Sequence, residues 1–316
     1  MRIALIGYGS VGRAFAQLLK RQCAAFPFRI AAIHTARHGT SYDGATFGPP
    51  AGSIGEFLDR AKPEIVAEIT ILNPATGEPA LSYIRAAFAR HLHVITANKG
   101  PIAHAYASLR DEAKTAGIEF RFESTVMDGV PVFNMVRNNL PGVKILGFTG
   151  ALNSTSKVVI EAMRQGKSMQ DGIEAARKLG ITEADASYDI DGWDSAAKAA
   201  VLANVLMDAR ITPMDVNRRG IGRLTPERVR ELAKSRKTVC LVSRARLGPG
   251  GIRVRVRAEV IGDSEPLASV TGTSNLLLLH TDLMGTIGVA GINSGVEQTA
   301  YGLFSDAVDI WRTVRI

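Results

Sequence analysis

Residues 2–21, RIALIGYGSVGRAFAQLLKR, decide the fold. The first five, Arg2 to Ile6, form a short apolar run of the kind that makes a buried parallel strand. Gly7, Gly9 and Gly12 follow at G-x-G-x-x-G spacing, and RAFAQLLKR then repeats its apolar residues at helical intervals. Glycines at this spacing are a weak signal alone and a good dinucleotide fingerprint between a strand and a helix. Gly7 permits the tight turn, Gly9 lets the backbone approach a pyrophosphate, and Gly12 allows helix and strand to pack closely. The N–H groups of Ser10 and Val11 then face the phosphates from the helix N-terminus.

Outward from this motif, the next strand is expected at Arg29 to His34. A domain that binds NAD usually carries an acid at the end of that strand to hold the ribose hydroxyls. Here the end reads His34-Thr35-Ala36-Arg37-His38, and the first carboxylate is Asp43. Thr35, Arg37 and His38 suit a 2′-phosphate, which favours NADP(H) over NAD(H); the plainer reading makes Arg37 a solvated loop residue. A helix around Ile54 to Ala61, a strand at Ile65 to Ile69, helical periodicity from Gly77 to Arg90 and a strand at His93 to Thr96 continue the alternation. A helix from Ala103 to Gly117 and a strand from Glu119 to Phe122 complete it. Such βαβ units build an open sheet whose ligands gather at the strand C-termini, and Lys99 stands at one of these ends.

The pattern changes near Leu140. Lys144 to Thr149 is strand-like, and a polar turn through Asn153 and Thr155 opens a helix. Strands are expected at Val239 to Leu247, Ile252 to Ile261, Ser269 to Thr271 and Asn275 to His280, with residues 248–251, GPGG, as a hairpin connection. The fold class is therefore α/β, an N-terminal Rossmann dinucleotide-binding domain with a second α+β domain, to which a family resemblance assigns catalysis and dimerisation. The expected boundaries are residues 1–137 and 138–294, with a C-terminal helix over 295–316 packing back on the first domain.

Bulk properties exclude several classes. Hydrophobic residues make up 46% and charged residues 22%, and no apolar run approaches the roughly eighteen residues that cross a bilayer. The N-terminus lacks the basic region and long apolar stretch of a signal peptide. The net charge is +8, yet Lys and Arg are scattered and aromatic residues are only 6%, which argues against nucleic acid. Cys23 and Cys240 fit no metal or redox spacing, so a reduced cytoplasmic protein with a small-molecule substrate is expected.

Residues 181–198, ITEADASYDIDGWDSAAK, hold Glu183, Asp185, Asp189, Asp191 and Asp194 ahead of Lys198. Asp194 and Lys198 are i and i+4 on an alanine-rich run, so on a helix they share a face. A cluster of acids with one ammonium suits an amino-acid substrate, whose amine needs a partner and whose oxygen needs a proton. A polar loop followed by a capped helix with a surface ion pair is the alternative.

Together, GYGSVG at 7–12, TANKG at 96–100, ESTVMDGVP at 123–131, GALNST at 150–155 and LGITEAD…DIDGWDSAAK at 179–198 resemble homoserine dehydrogenases of the short form without an ACT domain. The resemblance implies that Asp194 and Lys198 are the catalytic pair and that Lys99 also serves the reacting centre. It implies that Glu183 and Asp189 bind the substrate's amino and hydroxyl ends and that Thr155 helps to bind substrate and nicotinamide. It further implies a homodimer and a monovalent-cation site for Na⁺ or K⁺ made by Glu123 and the main-chain carbonyls of Val126, Asp128 and Val130. The sequence departs from the family at Met127-Asp128-Gly129, at Asn153-Ser154-Thr155-Ser156-Lys157 and at Gly291-Ile292-Asn293-Ser294-Gly295. The implied reaction is hydride transfer between L-homoserine and L-aspartate 4-semialdehyde, a step toward threonine and methionine. A lysine serving it as proton donor needs a pKa below the free value of ~10.4, which burial or a neighbouring cation provides. The alternatives are a dehydrogenase of another small amino- or hydroxy-acid semialdehyde and a non-catalytic NADP-binding relative.

Overall fold

The computed structural model describes residues 1–44, 46–182 and 185–315. The chain divides into two compact units, Met1–Met135 with Gly295–Ile316, and Val136–Ser294.

The first unit runs β1 (Arg2–Ile6), α1 (Ser10–Arg21), β2 (Arg29–Thr35), β3 (Gly39–Ser41), α2 (Ile54–Ala61), β4 (Ile65–Glu68), α3 (Ala80–Phe88), β5 (His93–Thr96), α4 (Lys99–Ala116) and β6 (Phe120–Arg121). A 3₁₀ turn, Glu123–Thr125, and α5 (Val132–Asn139) lead out of it. The strands pair in the order β3-β2-β1-β4-β5-β6, all parallel except the edge strand β3. Ile3, Leu5, Ile33, Ile65, Ala67 and Ile95 are fully buried, as strands covered on both faces require. The order reverses at β1, between β2 and β4, and this switch point puts the glycine loop at the crevice where such sheets bind ligands.

The second unit runs β7 (Ile145–Ala151), α6 (Ser154–Arg164), α7 (Met169–Lys178), α8 (Ser187–Ile190), α9 (Trp193–Met207), β8 (Asn217–Arg219), α10 (Pro226–Lys234), β9 (Lys237–Gly248), β10 (Gly251–Gly262), β11 (Asn275–Thr281) and β12 (Thr286–Gly291). Its sheet order is β12-β11-β7-β9-β10-β8, antiparallel except for β8 beside β10. The long hairpin β9–β10 closes through Pro249 and Gly250, with Gly248 opposite Gly251. Helix α9 is buried from Asp194 to Asn204 apart from half-buried Lys198, and its alanines let it lie close to the sheet. The final helix, α11 (Val296–Thr313), belongs to the first unit, where Ala300, Leu303, Phe304, Ala307 and Ile310 join the core built on β1 and α1.

Several expectations change. The strand expected at Ser269 to Thr271 is absent, and a 3₁₀ turn, Pro266–Ser269, occupies the approach to it; Pro266 has no N–H to offer a ladder. The fourth helix begins at Lys99 rather than Ala103. Asn98 caps it by accepting from Gly100 N at 3.0 Å, and Pro101 fits the first turn, where its missing N–H costs nothing. The helix expected from Gly77 begins only at Ala80, because Gly77 has φ +74°. Three short strands, β3, β8 and β12, and helices α5, α7, α8 and α10 join the expected elements.

Candidate functional site

The nucleotide end is built from backbone. Gly7 holds φ +103°, and a Cβ there would lie 2.2 Å from the carbonyl oxygen of Ile69, so no other residue fits this turn. A Cβ on Gly12 would lie 2.8 Å from the oxygen of Gly7, which fixes how closely α1 approaches the loop. Gly9 differs, since a Cβ there meets nothing within 4 Å. Its outer face is open to a ligand. Gly9 is also the N-cap of α1 and supplies no side-chain acceptor, and the first turn carries no acid. The N–H groups of Ser10, Val11 and Gly12 thus open the helix without a side-chain cap, a cradle that fits a pyrophosphate.

The turn after β2 lies beside this loop, because Ile6 pairs with His34 and Gly7 N donates to His34 O at 2.8 Å. Thr35 is buried, and its hydroxyl accepts from His38 N at 2.8 Å and donates to Gly39 O at 3.4 Å. Thr35 shapes the turn, and Arg37 and His38 stand exposed on it. Phe47 bridges Tyr8 of the glycine loop and His38, with ring centroids 6.1 and 6.3 Å away. Asp43 is turned to Ser41 Oγ and Thr46 N, both at 2.8 Å.

At the C-terminal ends of β4 and β5, buried Glu68 accepts from Thr70 N at 2.8 Å, from the Thr70 hydroxyl and from Thr96 Oγ1 at 2.7 Å. Thr96 Oγ1 in turn accepts from Asn98 N at 2.9 Å, and Asn98 Nδ2 donates to Thr70 O at 3.3 Å. Burial pushes the Glu68 carboxyl above the usual carboxylate range, against these hydrogen bonds. The network fixes the turn from which half-buried Lys99 emerges as the first residue of α4.

The acidic centre of the second unit is built from side chains. Lys198 Nζ lies 3.2 Å from Asp194 Oδ2 one turn back on α9, and donates to Leu152 O at 2.7 Å. Asn153 Nδ2 donates to Asp194 Oδ2 at 3.0 Å and to Asp189 Oδ1 at 2.6 Å. Thr182 Oγ1 donates to Asp189 Oδ2 at 2.9 Å. The other end of the Asn153 amide accepts from Ser156 N at 2.7 Å and so caps α6. Thr155 Oγ1 donates to Ile181 O at 3.3 Å, tying the α6 turn to the start of the acidic stretch. Asp189, Asp194 and Lys198 therefore form one hydrogen-bonded group. Burial, then the charge of Asp194, raises the Asp189 carboxyl above its ordinary range, while Asn153, Thr182 and Lys198 pull it down. Glu183 lies outside the described residues. Asp185 turns back to Ser187 N at 2.9 Å on the exposed side, and Asp191 is exposed.

Two family models match this chain. The homoserine dehydrogenase model covers residues 131–308, and the model of the homoserine dehydrogenase NAD-binding domain covers residues 7–123. An NAD(+)-dependent homoserine dehydrogenase of Pseudomonas canavaninivorans is 33% identical over 336 residues, with 98% of this chain and 96% of the relative covered. The crystal structure of a homoserine dehydrogenase from Thiobacillus denitrificans superposes with a TM-score of 0.87 at 28% identity, over 99% of this chain and 73% of that one. A hyperthermophilic archaeal homoserine dehydrogenase in complex with NADPH gives 0.84 at 28% identity, over 99% and 98%. The chain belongs to the homoserine dehydrogenase family.

In this homoserine dehydrogenase the segment expected to hold a cation has a clear structural task. Glu123 is buried, and its two carboxylate oxygens accept from Phe133 N at 2.8 Å and Asn134 N at 2.7 Å, at the start of α5. Its own N–H donates to Asp306 Oδ2 of α11 at 2.8 Å. Val126, Asp128 and Val130 lie in the loop between, where Asp128 has φ +56° and accepts from Thr299 Oγ1 at 3.0 Å. Gly129 packs against α11 so tightly that a Cβ would sit 2.2 Å from Gln298 O. Among the described residues no group of three or more His, Cys, Asp or Glu side chains converges as a metal site. No helix among them is long and apolar enough to cross a membrane.

Reading the sequence alone missed Asn153 as a site residue, although it joins both aspartates and caps α6. Its position between a strand-like run and a helix was the available signal. The Glu68–Thr96–Asn98 network was missed because an acid at the end of an apolar run has no distinctive spacing.

Proposed function

We propose that this homoserine dehydrogenase binds L-homoserine or L-aspartate 4-semialdehyde at the acidic centre and moves the proton of the C4 oxygen with its lysines. The family reaction is the NAD(P)-dependent interconversion of these two compounds. When bound, the nicotinamide supplies or accepts the hydride. The chain's own residues do the rest. Asp189 pairs with the substrate ammonium, and with Glu183, its expected companion, holds the substrate's amino and hydroxyl ends. Lys198 gives a proton to the developing alkoxide when the aldehyde is reduced and takes it from the hydroxyl in reverse. Asp194 and the Leu152 carbonyl hold that ammonium in place, which limits the rotamers of a long flexible side chain. Lys99 serves the same reacting oxygen, and Thr155 fixes the turn beside it.

The observation that carries this reading is the fixed Lys198, held by two acceptors on a buried helix and joined through Asp194 and Asn153 to Asp189. A surface ion pair needs no such wiring.

NADP(H) is the preferred cofactor in this proposal. Ser10, Val11 and the three glycines take the pyrophosphate, while exposed Arg37 and His38 take the 2′-phosphate on a turn that Thr35 builds. For a cation, Na⁺ or K⁺, Glu123 and the carbonyls of Val126, Asp128 and Val130 are a suitable set of hard oxygen donors. We place the enzyme in the cytoplasm, where its two free cysteines, Cys23 and Cys240, stay reduced. We propose a homodimer formed through the strand-rich region Val239 to His280, which presents exposed Leu247 and Val260. Sedimentation at micromolar concentration tests the dimer, with a monomer as the contrary result. The functional reading is tested by homoserine oxidation with NADP⁺ and with NAD⁺. Turnover on homoserine with the lower KM for NADP⁺ supports it, and no turnover with either overturns it.

A further inference from the structure

We propose that the Tyr188 hydroxyl is a substrate-binding group that donates a hydrogen bond to the α-carboxylate of the amino-acid substrate. This rests on the reading of the Asp189–Asn153–Asp194–Lys198 group as the substrate site.

Tyr188 precedes Asp189 on the short helix α8. Its hydroxyl oxygen is buried and has no hydrogen-bond partner. A buried hydroxyl left unmade forfeits the bonds that water gave it, and native chains rarely keep such an atom without a use. Its neighbours do not satisfy it. Asp189 already accepts from Asn153 and Thr182, and Asp194 from Asn153 with Lys198 beside it. Tyr188 is the chain neighbour of Asp189, and both carboxylates act electrostatically on its phenol. Burial and those two charges keep the phenol protonated, so it offers a proton without adding negative charge.

The substrate has three polar groups, and their chemistry selects among them. The ammonium only donates, and an aspartate suits it better than a phenol does. The C4 oxygen must meet the group that exchanges its proton, Lys198. The α-carboxylate only accepts, and next to Asp189 and Asp194 it needs a donor that is not itself an acid at working pH. A buried neutral phenol meets that need, and a hydrogen bond to a charged acceptor is among the stronger kinds.

The test is Tyr188→Phe, which keeps the ring and removes only the hydroxyl. Because that hydroxyl bonds nothing in the protein, the melting temperature is expected to stay the same. kcat/KM for L-homoserine is expected to fall about tenfold through KM, the size of one lost bond to a charged group. The decarboxylated analogue 3-aminopropan-1-ol, read as a slow substrate or as a competitive inhibitor, is expected to bind wild type and variant equally. Equal loss on both compounds, or no loss on homoserine, overturns the proposal. The site reading itself fails separately, if Lys198→Ala leaves kcat intact.

Discussion

Gly7 and Asn153 occupy matching places in the two units, each in the turn that ends a strand and opens a helix. At Gly7 no side chain caps the turn, and α1 begins with its N–H groups open and a free face at Gly9. At Asn153 the turn is governed by one side chain, which caps α6 with its oxygen and grips Asp189 and Asp194 with its nitrogen. In the proposed function one turn takes its ligand with main chain, and the other holds charged side chains for chemistry. The lesson concerns what each tolerates. A backbone site is sensitive to volume and φ, while a side-chain site is sensitive to the loss of single polar atoms.

The sharpest break of this comparison is expected at Gly7. Gly7→Ala combines φ +103° with a Cβ 2.2 Å from Ile69 O, so the strain and clash are expected to cost about 3 kcal/mol or more. A calorimetric scan should show the lowered melting temperature, with dinucleotide binding lost. Gly9→Ala, where a Cβ meets nothing, should melt as wild type does and lose only dinucleotide affinity in a fluorescence titration. If both variants melt alike, the two glycines do not differ in the way described.

Asn153→Ala tests the other turn. Removing the shared donor leaves buried Asp194 and half-buried Asp189 each short of a hydrogen bond, at about 1–3 kcal/mol for the buried one. kcat/KM for homoserine is expected to fall about a hundredfold while the dinucleotide dissociation constant stays within twofold. A parallel loss of dinucleotide affinity would show that the two turns are not separate in function.

How much of this was legible in the sequence follows the same division. The strand Arg2 to Ile6 and the fingerprint after it stand where the pattern put them, because buried strands and glycine turns are local features. Asp194 and Lys198 meet at 3.2 Å because i,i+4 spacing on a helix is also local. Asn153 escaped notice because its partners lie 36 and 41 residues along the chain. The short strands Asn217–Arg219 and Thr286–Gly291 escaped for a different reason. The first is polar throughout and the second is short and interrupted by glycine, so both carry a weak strand signal and sheet pairing defines them.

The pH dependence sharpens the comparison with a smaller effect. The Asp189 carboxyl lies above its ordinary range through burial first and Asp194 second. Folding therefore raises its proton affinity, so this group favours the fold at low pH. That contribution fades as pH rises from the unfolded value through the folded one. In the proposed binding mode the effect on substrate runs the opposite way, since only the ionised carboxylate pairs with the ammonium. KM for homoserine is expected to climb as pH falls through the raised Asp189 pKa, above the ~3.9 of a free aspartate. Asp189→Asn should raise KM and flatten that limb. A limb unchanged in the variant would assign it to another group.

The smallest effect is expected at the rim of the nucleotide end. Arg37→Ala should raise KM for NADP⁺ about tenfold, the loss of one charge-assisted contact, and leave KM for NAD⁺ unchanged. Equal change for both cofactors would show that Arg37 does not read the 2′-phosphate.

Lys198→Ala, followed in a single turnover with the dinucleotide prebound, tests the central claim most directly. The account predicts that the hydride-transfer rate falls by about a hundredfold to ten-thousandfold, the range of a lost general acid–base group. It also predicts a dinucleotide dissociation constant within twofold of wild type. An unchanged single-turnover rate would contradict it.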